Sequence, residues 1–210
     1  LSAWRRWLPT GRVAVIGIPY AWLLLFFLLP FLILAKISIS EMENVVFEGG
    51  EGSGKSTQAA LLAERIGATL TREPGGTGIG TRLREVLLAS SDDEVPMSDR
   101  AEALLMAADR AQHCAQVLRP SLESGTDVVC DRYIGSTIAY QGAGRGLDST
   151  ELARISAWAT DGLVPDLVIL LVVDPAMAAE RIGAARDRIE AAGPEFHRRV
   201  SVSFVEQAAA

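Results

Sequence analysis

The sequence is poor in cysteine and histidine, with two residues of each among 210. Two cysteines, Cys114 and Cys130, cannot form the disulfide framework of a small secreted protein, so they indicate buried thiols in a reducing compartment. Neither they nor His113 and His197 have the spacing of metal ligands. These shortages argue against a disulfide-stabilised fold and against a zinc site.

Positive charge is also in short supply. The chain has 26 acidic and 20 basic side chains, which gives a formal net charge of −6. A surface that binds nucleic acid is usually basic, so we expect no nucleic-acid partner. The length fits one compact domain with, at most, an appendage.

An uncharged stretch at residues 13–35 differs from the rest of the chain. It is dense in large apolar residues, and about 20 such residues can cross a bilayer. Three arginines precede it, which predicts a cytoplasmic amino terminus. We therefore expect a leader over residues 1–43, with membrane association only through residues 13–35, and a separate domain over residues 44–210.

The most informative motif is a phosphate-binding loop that fits G-x-x-x-x-G-K-[ST]. An apolar run precedes it and a helix-like run follows, which is the context that the motif requires. Its backbone N–H groups would surround phosphate oxygens, Lys55 would reach the β- and γ-phosphates, and the Ser56 hydroxyl would bind Mg²⁺. The sequence therefore predicts ATP and Mg²⁺ as cofactors. The predicted nucleotide-binding residues are Gly49, Gly50, Glu51, Gly52, Ser53, Gly54, Lys55, Ser56 and Thr57.

Strands and helices alternate along the chain, and the strands are continuous apolar runs. Such runs indicate a parallel sheet that is covered on both faces, so we predict an α/β fold of the P-loop NTPase class, with helices on both faces. Ser98 is the expected cap of a helix that is interrupted at Pro120. The predicted later strands are 128–130 and 167–173. The predicted helices are 58–66, 79–88, 98–122, 150–160, 176–182 and 195–210, and 138–146 should be a helix followed by a loop.

Charged residues follow three of the strands, at Glu48, at Arg72-Glu73 and at Asp131-Arg132. Ligands of such sheets bind beyond the carboxyl ends of the strands. Two arginine-bearing ends beside a phosphate loop indicate two phosphate sites, one for ATP and one for an acceptor, because guanidinium groups bind phosphate through paired hydrogen bonds. Either arginine could instead pair with a neighbouring carboxylate.

The order of these motifs resembles the thymidylate kinase family. The Arg-Glu-Pro-Gly-Gly run at 72–76 and the Ala-Tyr-Gln-Gly run at 139–142 are specific to that family. The segments 108–113, 131–133 and 187–190, followed by Phe196-His197, also match. The resemblance covers about residues 44–210. It implies transfer of phosphate from ATP to dTMP, giving dTDP, by a cytoplasmic homodimer.

The resemblance also implies roles for individual residues. Glu48 would approach the sugar 3′-hydroxyl, Asp131 would join Ser56 in supporting Mg²⁺, and Tyr140 would exclude a ribose 2′-hydroxyl. The implied substrate-binding residues are Glu48, Arg72, Met106, Arg110, Arg132, Thr137, Tyr140 and Gln141, of which Arg72 and Arg132 would hold the acceptor phosphate and Arg110 the thymine. The implied catalytic residues are Lys55, Arg132, Glu48 and three arginines of a mobile lid, Arg181, Arg186 and Arg188.

The chain departs from the family pattern at several points. The loop has Glu51 and no arginine, which shifts the arginine role to the lid. Met106 stands where an aromatic residue commonly stacks on thymine. The family continues past residue 210 with a further strand and helix, so we expect a truncated chain. Residues 1–42 resemble the start of a polyamine-type ABC transporter permease, which suggests a fused or mis-joined leader.

Three other functions compete with this interpretation. A membrane transport component would use the amino-terminal segment, but one apolar span cannot form a permease pathway. A regulatory P-loop ATPase would end its strand in Asp-Glu, whereas the strand at 128–130 is followed by Asp131-Arg132. Another deoxynucleotide kinase is disfavoured by the Arg-Glu-Pro and Tyr-Gln-Gly runs.

Overall fold

The computed structural model describes residues 44–89, 96–182 and 187–209. The predicted leader at 1–43, with its apolar stretch at 13–35, and Arg186 lie outside these ranges. Among the described residues, no helix is both long enough and apolar enough to span a membrane.

Four parallel strands of the described chain form one sheet in the order β2–β3–β1–β4. They are β1 (Asn44–Glu48), β2 (Thr69–Arg72), β3 (Val128–Asp131) and β4 (Leu167–Leu170). In the register, Arg72 and Phe47 both lie opposite Asp131. The charged carboxyl ends of β1, β2 and β3 therefore meet at one edge of the sheet, as the sequence predicted.

Helices connect the strands and pack on both faces of the central pair. One apolar cluster joins Val45 and Phe47 to Ala59 and Ala63 of the first helix, and the opposite cluster joins Val46 and Cys130 to residues that include Cys114 and Leu118. The helices are α1 (Lys55–Ile66), α2 (Gly78–Leu88), α3 (Asp99–His113), α4 (Arg119–Glu123), α5 (Ile134–Thr137), α6 (Ser149–Thr160), α7 (Pro175–Ile182) and α8 (Pro194–Ala209). The parallel sheet with helices on both faces confirms the predicted fold class. The free thiols Cys114 and Cys130 are buried, also as predicted.

Two predicted helices have different boundaries in the structure. The predicted cap of α3 is confirmed, because the Ser98 hydroxyl accepts the Ala101 N–H at 3.3 Å. The helix is interrupted before Pro120, at a π-helical turn over Cys114–Leu118, and Pro120 lies in the first turn of α4, where its missing N–H costs little. The predicted helix at 138–146 begins earlier, at α5, and continues as a π-helical segment over Ile138–Gly144.

The strand predicted at 167–173 ends at Leu170. Its neighbour β1 ends at Glu48, opposite Leu170, where the chain turns into the phosphate loop. Beyond Leu170, β4 therefore has no neighbouring strand in the described structure with which to pair. Val168 of this strand is 52% exposed, so the described residues cover β4 less fully than the central strands.

Candidate active site

The phosphate loop follows β1 and leads into the amino terminus of α1. Gly49 and Gly52 have φ angles of 142° and 70°, and a Cβ atom at Gly49 would lie 2.4 Å from the carbonyl oxygen of Leu171. Only glycine allows this backbone to pass so close to the chain beyond β4. The Lys55 ammonium donates to the Gly50 carbonyl at 2.8 Å, so the lysine lies over the loop that it follows.

Lys55 is a buried cation, and the residue is 5% exposed. It forms no ion pair with a carboxylate of the described residues. Burial and the nearby Arg132 lower its pKa to about 8, and Glu51 opposes that shift. An anionic ligand such as a phosphate would restore the charge of this group.

The hydroxyl of Ser56 and the carboxylate of Asp131 meet at the start of α1 and the end of β3. The Ser56 hydroxyl donates to Asp131 Oδ2 at 2.5 Å, and Asp131 Oδ1 is buried without a hydrogen-bond partner in the described structure. These are oxygen ligands, which Mg²⁺ prefers, and Mg²⁺ in nucleotide sites is held by one or two protein groups together with substrate phosphates. No cluster of three or more metal-ligating side chains occurs in the described ranges. This pair fits the predicted Mg²⁺ site.

Arg132 lies immediately after Asp131 with a φ angle of 73°, which turns its side chain back over the phosphate loop. Its guanidinium donates to the Gly49 carbonyl at 3.1 Å, to Ser136 at 3.0 Å and to the Tyr140 hydroxyl at 3.1 Å, and it also pairs with Glu51. Burial opposes the charge, but Tyr140 and Glu51 outweigh it and raise the pKa of Arg132. The Arg132 guanidinium is therefore a fixed, permanently charged group between the phosphate loop and the rest of the cavity.

Glu51 is the loop residue that neutralises Arg132. Burial alone would raise the pKa of Glu51, but Arg132 and Lys55 outweigh burial and lower it. The loop therefore carries its own carboxylate where a phosphate could bind. Arg72, at the end of β2, is exposed and lines the same cavity. Its side chain makes no hydrogen bond or ion pair within the described part of the chain.

Glu48, which the resemblance places near the sugar 3′-hydroxyl, is held by the turn after β3. The described residues that line the cavity do not include it. Its carboxylate accepts the backbone N–H groups of Tyr133 and Ser136 at 3.0 Å each and the Ser136 hydroxyl at 2.5 Å. Burial raises its pKa despite these bonds. Glu48 therefore anchors the turn after β3, because both of its carboxylate oxygens accept hydrogen bonds from that turn.

Arg110 of α3 is a buried cation that lines the cavity wall. Its Nε donates to Glu73 at 2.8 Å, and its two terminal nitrogens donate to Ser156, to the Tyr133 carbonyl and to Thr137 at 3.0–3.2 Å. Four of the five N–H groups of an arginine are thereby used. One N–H remains for a ligand, so the predicted contact with a base is compatible with the geometry.

Several residues of the wall were not assigned from the sequence. Glu73 joins Arg110 to His113, whose Nδ1 lies 2.9 Å from its carboxylate. Asp109 accepts from the Gly75 N–H at 3.1 Å, while its second oxygen is buried without a partner in the described structure. Glu73 and Asp109 belong to the segments 72–76 and 108–113, which resemble the family. The sequence alone does not show that these two side chains line the cavity.

One part of the cavity wall is apolar with a few polar groups. Met106 packs with Tyr140, Leu88 and Ile189 in one cluster, while Thr137 and Gln141 add a hydroxyl and an amide to the same wall. The aromatic ring of Tyr140 lies beneath the Arg132 guanidinium at 4.9 Å. A flat, mostly apolar group with hydrogen-bonding edges fits this part of the cavity, and an anion fits beside Arg132.

The three predicted lid arginines have separate locations. Arg181 of α7 donates to the Gly52 carbonyl at 3.0 Å, so it lies at the phosphate loop. Arg188 pairs with the buried Glu102 at 2.8 Å and donates to the Leu87 carbonyl at 2.9 Å. It is not among the described cavity residues, because these partners hold it behind the wall. Arg186 lies outside the described residues.

Comparisons with known proteins support the motif assignment. The family model described as thymidylate kinase matches residues 47–209. A curated thymidylate kinase of Cutibacterium acnes is 55% identical over 79% of this chain and 82% of its own length, and one of Leifsonia xyli subsp. xyli is 51% identical over 79% and 81%. The crystal structure of thymidylate kinase from Ehrlichia chaffeensis is similar with a TM-score of 0.64 and 32% identity, covering 79% of this chain and 81% of that one.

Proposed function

The chain belongs to the thymidylate kinase family, and from that premise we propose how its residues perform the reaction. The protein transfers the γ-phosphoryl group of ATP to dTMP in the presence of Mg²⁺, giving ADP and dTDP. The observation that carries the residue assignment is the cavity itself, in which Lys55 and the phosphate loop face Arg132 and an apolar pocket extends beyond it.

The donor nucleotide binds at the loop from Gly49 to Thr57. Its backbone N–H groups and the amino terminus of α1 face the ATP phosphates, and Lys55 neutralises charge on the transferring group. Ser56 and Asp131 hold Mg²⁺, which supplies charge neutralisation at the phosphates when bound. These two side chains are in direct contact in this structure.

The acceptor phosphate binds at Arg132. The guanidinium is held in place by Gly49, Ser136 and Tyr140, so binding costs little side-chain ordering. The phosphate would take the position of the Glu51 carboxylate, which pairs with Arg132 in this structure. Arg72 is exposed at the same cavity and provides a second guanidinium group for the same phosphate.

The thymine and deoxyribose occupy the apolar part of the cavity. Met106 packs against the base as a polarizable thioether, and the remaining N–H of Arg110 together with the Gln141 amide hydrogen-bonds its edge. Thr137 shapes the same pocket. Tyr140, 5% exposed and fixed by Arg132, fills the space that a ribose 2′-hydroxyl would need, which favours deoxynucleotides.

The chemical step is in-line phosphoryl transfer, in which positioning and charge neutralisation do most of the catalysis. Lys55 and Arg132 approach the transferring group from the donor and acceptor sides. Arg181, which already contacts the phosphate loop through Gly52, is the lid arginine that we assign to it. Glu48 holds the turn that carries Tyr133 and Ser136, and we give it a supporting role.

We also propose the assembly and domain arrangement. Residues 44–210 form the kinase domain, acting as a homodimer in the cytoplasm, where ATP and dTMP are available. Residues 1–43 form a leader, and any contact of this chain with a membrane occurs through residues 13–35.

A coupled ADP-release assay tests the substrate assignment. The full chain is supplied with MgATP and, in separate reactions, dTMP, dUMP, dCMP or AMP. We expect dTMP to stimulate ADP release most strongly, and Lys55→Ala to abolish the stimulation. ADP release that is independent of the added monophosphate would indicate an ATPase and would overturn the proposed acceptor site.

A further inference from the structure

Glu102 of α3 is a fully buried carboxylate that lies behind the cavity wall. It is 0% exposed and is not among the described cavity residues. Its Oε1 accepts the Gln141 amide nitrogen at 2.8 Å. Its Oε2 accepts from Arg145 at 3.1 Å and lies 2.8 Å from the Arg188 guanidinium. Burial alone would raise the pKa of Glu102, but Gln141 and Arg145 outweigh burial and lower it, so the group is ionised at neutral pH.

An ionised carboxylate accepts hydrogen bonds and cannot donate them. Glu102 can therefore bind only the NH₂ side of the Gln141 amide, although the two ends of an amide have nearly the same size and shape. Gln141 is 2% exposed and lines the cavity. With its nitrogen held by Glu102, the amide presents its oxygen, a hydrogen-bond acceptor, on the other side.

The position of Glu102 is set from three directions. Arg145 also approaches Asp99 at 3.6 Å and lies 4.6 Å over the ring of Phe196. Arg188 is tied to the carbonyl of Leu87. Both arginines approach Oε2, Arg188 at 2.8 Å and Arg145 at 3.1 Å. Oε1 accepts the Gln141 amide at 2.8 Å and a longer bond from Arg145 Nε at 3.4 Å, so the stronger arginine contacts fix Oε2 as an acceptor.

We propose that Glu102 is a positioning residue that sets base selectivity, by fixing the Gln141 amide so that it presents an acceptor to the base. Thymine and uracil carry a donor, N3–H, on the edge that this acceptor would meet, whereas cytosine carries an acceptor at N3. The inference rests on the proposed function, in which Gln141 faces the base. It assigns to Glu102, which touches no substrate, the discrimination against cytosine.

The Glu102→Gln variant reverses the arrangement. The shorter contacts of Arg145 and Arg188 require an oxygen at the Oε2 position, so the new amide turns its nitrogen toward Gln141 and gives up only the 3.4 Å bond from Arg145 Nε. Gln141 must then accept with its own oxygen and present NH₂ to the base. We expect the ratio of kcat/KM for dCMP to kcat/KM for dTMP to rise about tenfold or more, because an unmatched buried polar group weakens binding to that extent. The ratio for dUMP to dTMP should stay within about twofold, since both bases carry N3–H.

Two further variants separate positioning from general destabilisation. Asp99→Asn removes a half-exposed charge from the same cluster without touching Gln141 and should leave both ratios unchanged. Glu102→Asp keeps an acceptor-only group and should retain the preference for dTMP over dCMP. If Glu102→Gln does not fold, the double variant Glu102→Gln, Arg188→Met removes one charge of each sign, and Arg145 still directs the new amide oxygen.

The outcomes distinguish this inference from the proposed function. Wild-type turnover that depends on dTMP supports the proposed function whatever the variants do. A dCMP ratio that is unchanged in folded Glu102→Gln, or dCMP and dUMP ratios that rise together, would overturn the role of Glu102. A rise in the dCMP ratio alone would establish it.

Discussion

Replacing Lys55 by methionine should stabilise the nucleotide-free protein while it removes activity. The folded site lowers the pKa of the Lys55 ammonium from 10.5 to about 8, and that difference corresponds to about 3 kcal/mol of destabilisation at pH 7. Methionine removes this cost but also the hydrogen bond to the Gly50 carbonyl, which is worth about 1 kcal/mol. The expected net gain is about 2 kcal/mol in the free energy of unfolding.

The pH dependence gives a second test with a definite sign. The unfolded chain keeps the lysine protonated up to about pH 10.5, whereas the folded protein releases the proton near pH 8. Between these values the unfolded state binds more protons, so the wild-type cost disappears as pH rises. The advantage of Lys55→Met should therefore be complete below about pH 8 and fall as pH rises. Near pH 10.5 the variant should be slightly less stable than wild type, because only the lost hydrogen bond to Gly50 remains.

Urea unfolding, followed by circular dichroism between pH 7 and 10, measures both effects. Arg65→Met, which removes an exposed cation from the same helix, is the matched control and should change stability by less than about 0.5 kcal/mol. MgATP should stabilise the wild-type protein by mass action and have much less effect on Lys55→Met. A variant that is less stable than wild type at pH 7, or that keeps its advantage at pH 10, would refute the reasoning.

Three other variants test the site and its support. Arg110→Met should lower the free energy of unfolding in urea by about 3–5 kcal/mol, because it removes the guanidinium that pairs with the buried Glu73 and leaves only His113 beside that carboxylate. A loss below about 1 kcal/mol would contradict the buried network. Arg132→Lys should lower kcat/KM for dTMP about tenfold to a hundredfold in the coupled assay, since an ammonium cannot reproduce the guanidinium fork, and wild-type kinetics would argue against phosphate binding there. Asp148→Ala should cost about 1 kcal/mol in thermal or urea unfolding through loss of the α6 cap and leave kcat/KM unchanged; altered kinetics would show that this cap also shapes the site.

Much of the architecture could be predicted because the local signals agree with one another. The glycines of the phosphate loop, the Ser98 cap and the apolar run of β3 each specify a conformation through their own backbone chemistry. The carboxyl ends of parallel strands meet at one edge of a sheet, so the meeting of Arg72 and Asp131 followed from topology.

The remainder depends on contacts that a linear pattern does not encode. The end of β4 is set by where its neighbour leaves the sheet, and the π-helical segments depend on tertiary packing. The resemblance assigns Glu48 and Arg188 to the substrate, but the sequence does not show the hydrogen bonds from Ser136 or the pairing with Glu102 that hold these two side chains. The partners of a buried charged side chain decide whether it lines the cavity, and these partners are distant in sequence.

Phosphorus NMR of the full chain with MgATP and dTMP tests the central assignment most directly. The γ-phosphate signal of ATP should decline only when dTMP is present, and one β-phosphate signal of dTDP should appear for each ADP formed, with no inorganic phosphate. Formation of inorganic phosphate in place of dTDP, or an equal rate without dTMP, would contradict a kinase site built from the phosphate loop and Arg132.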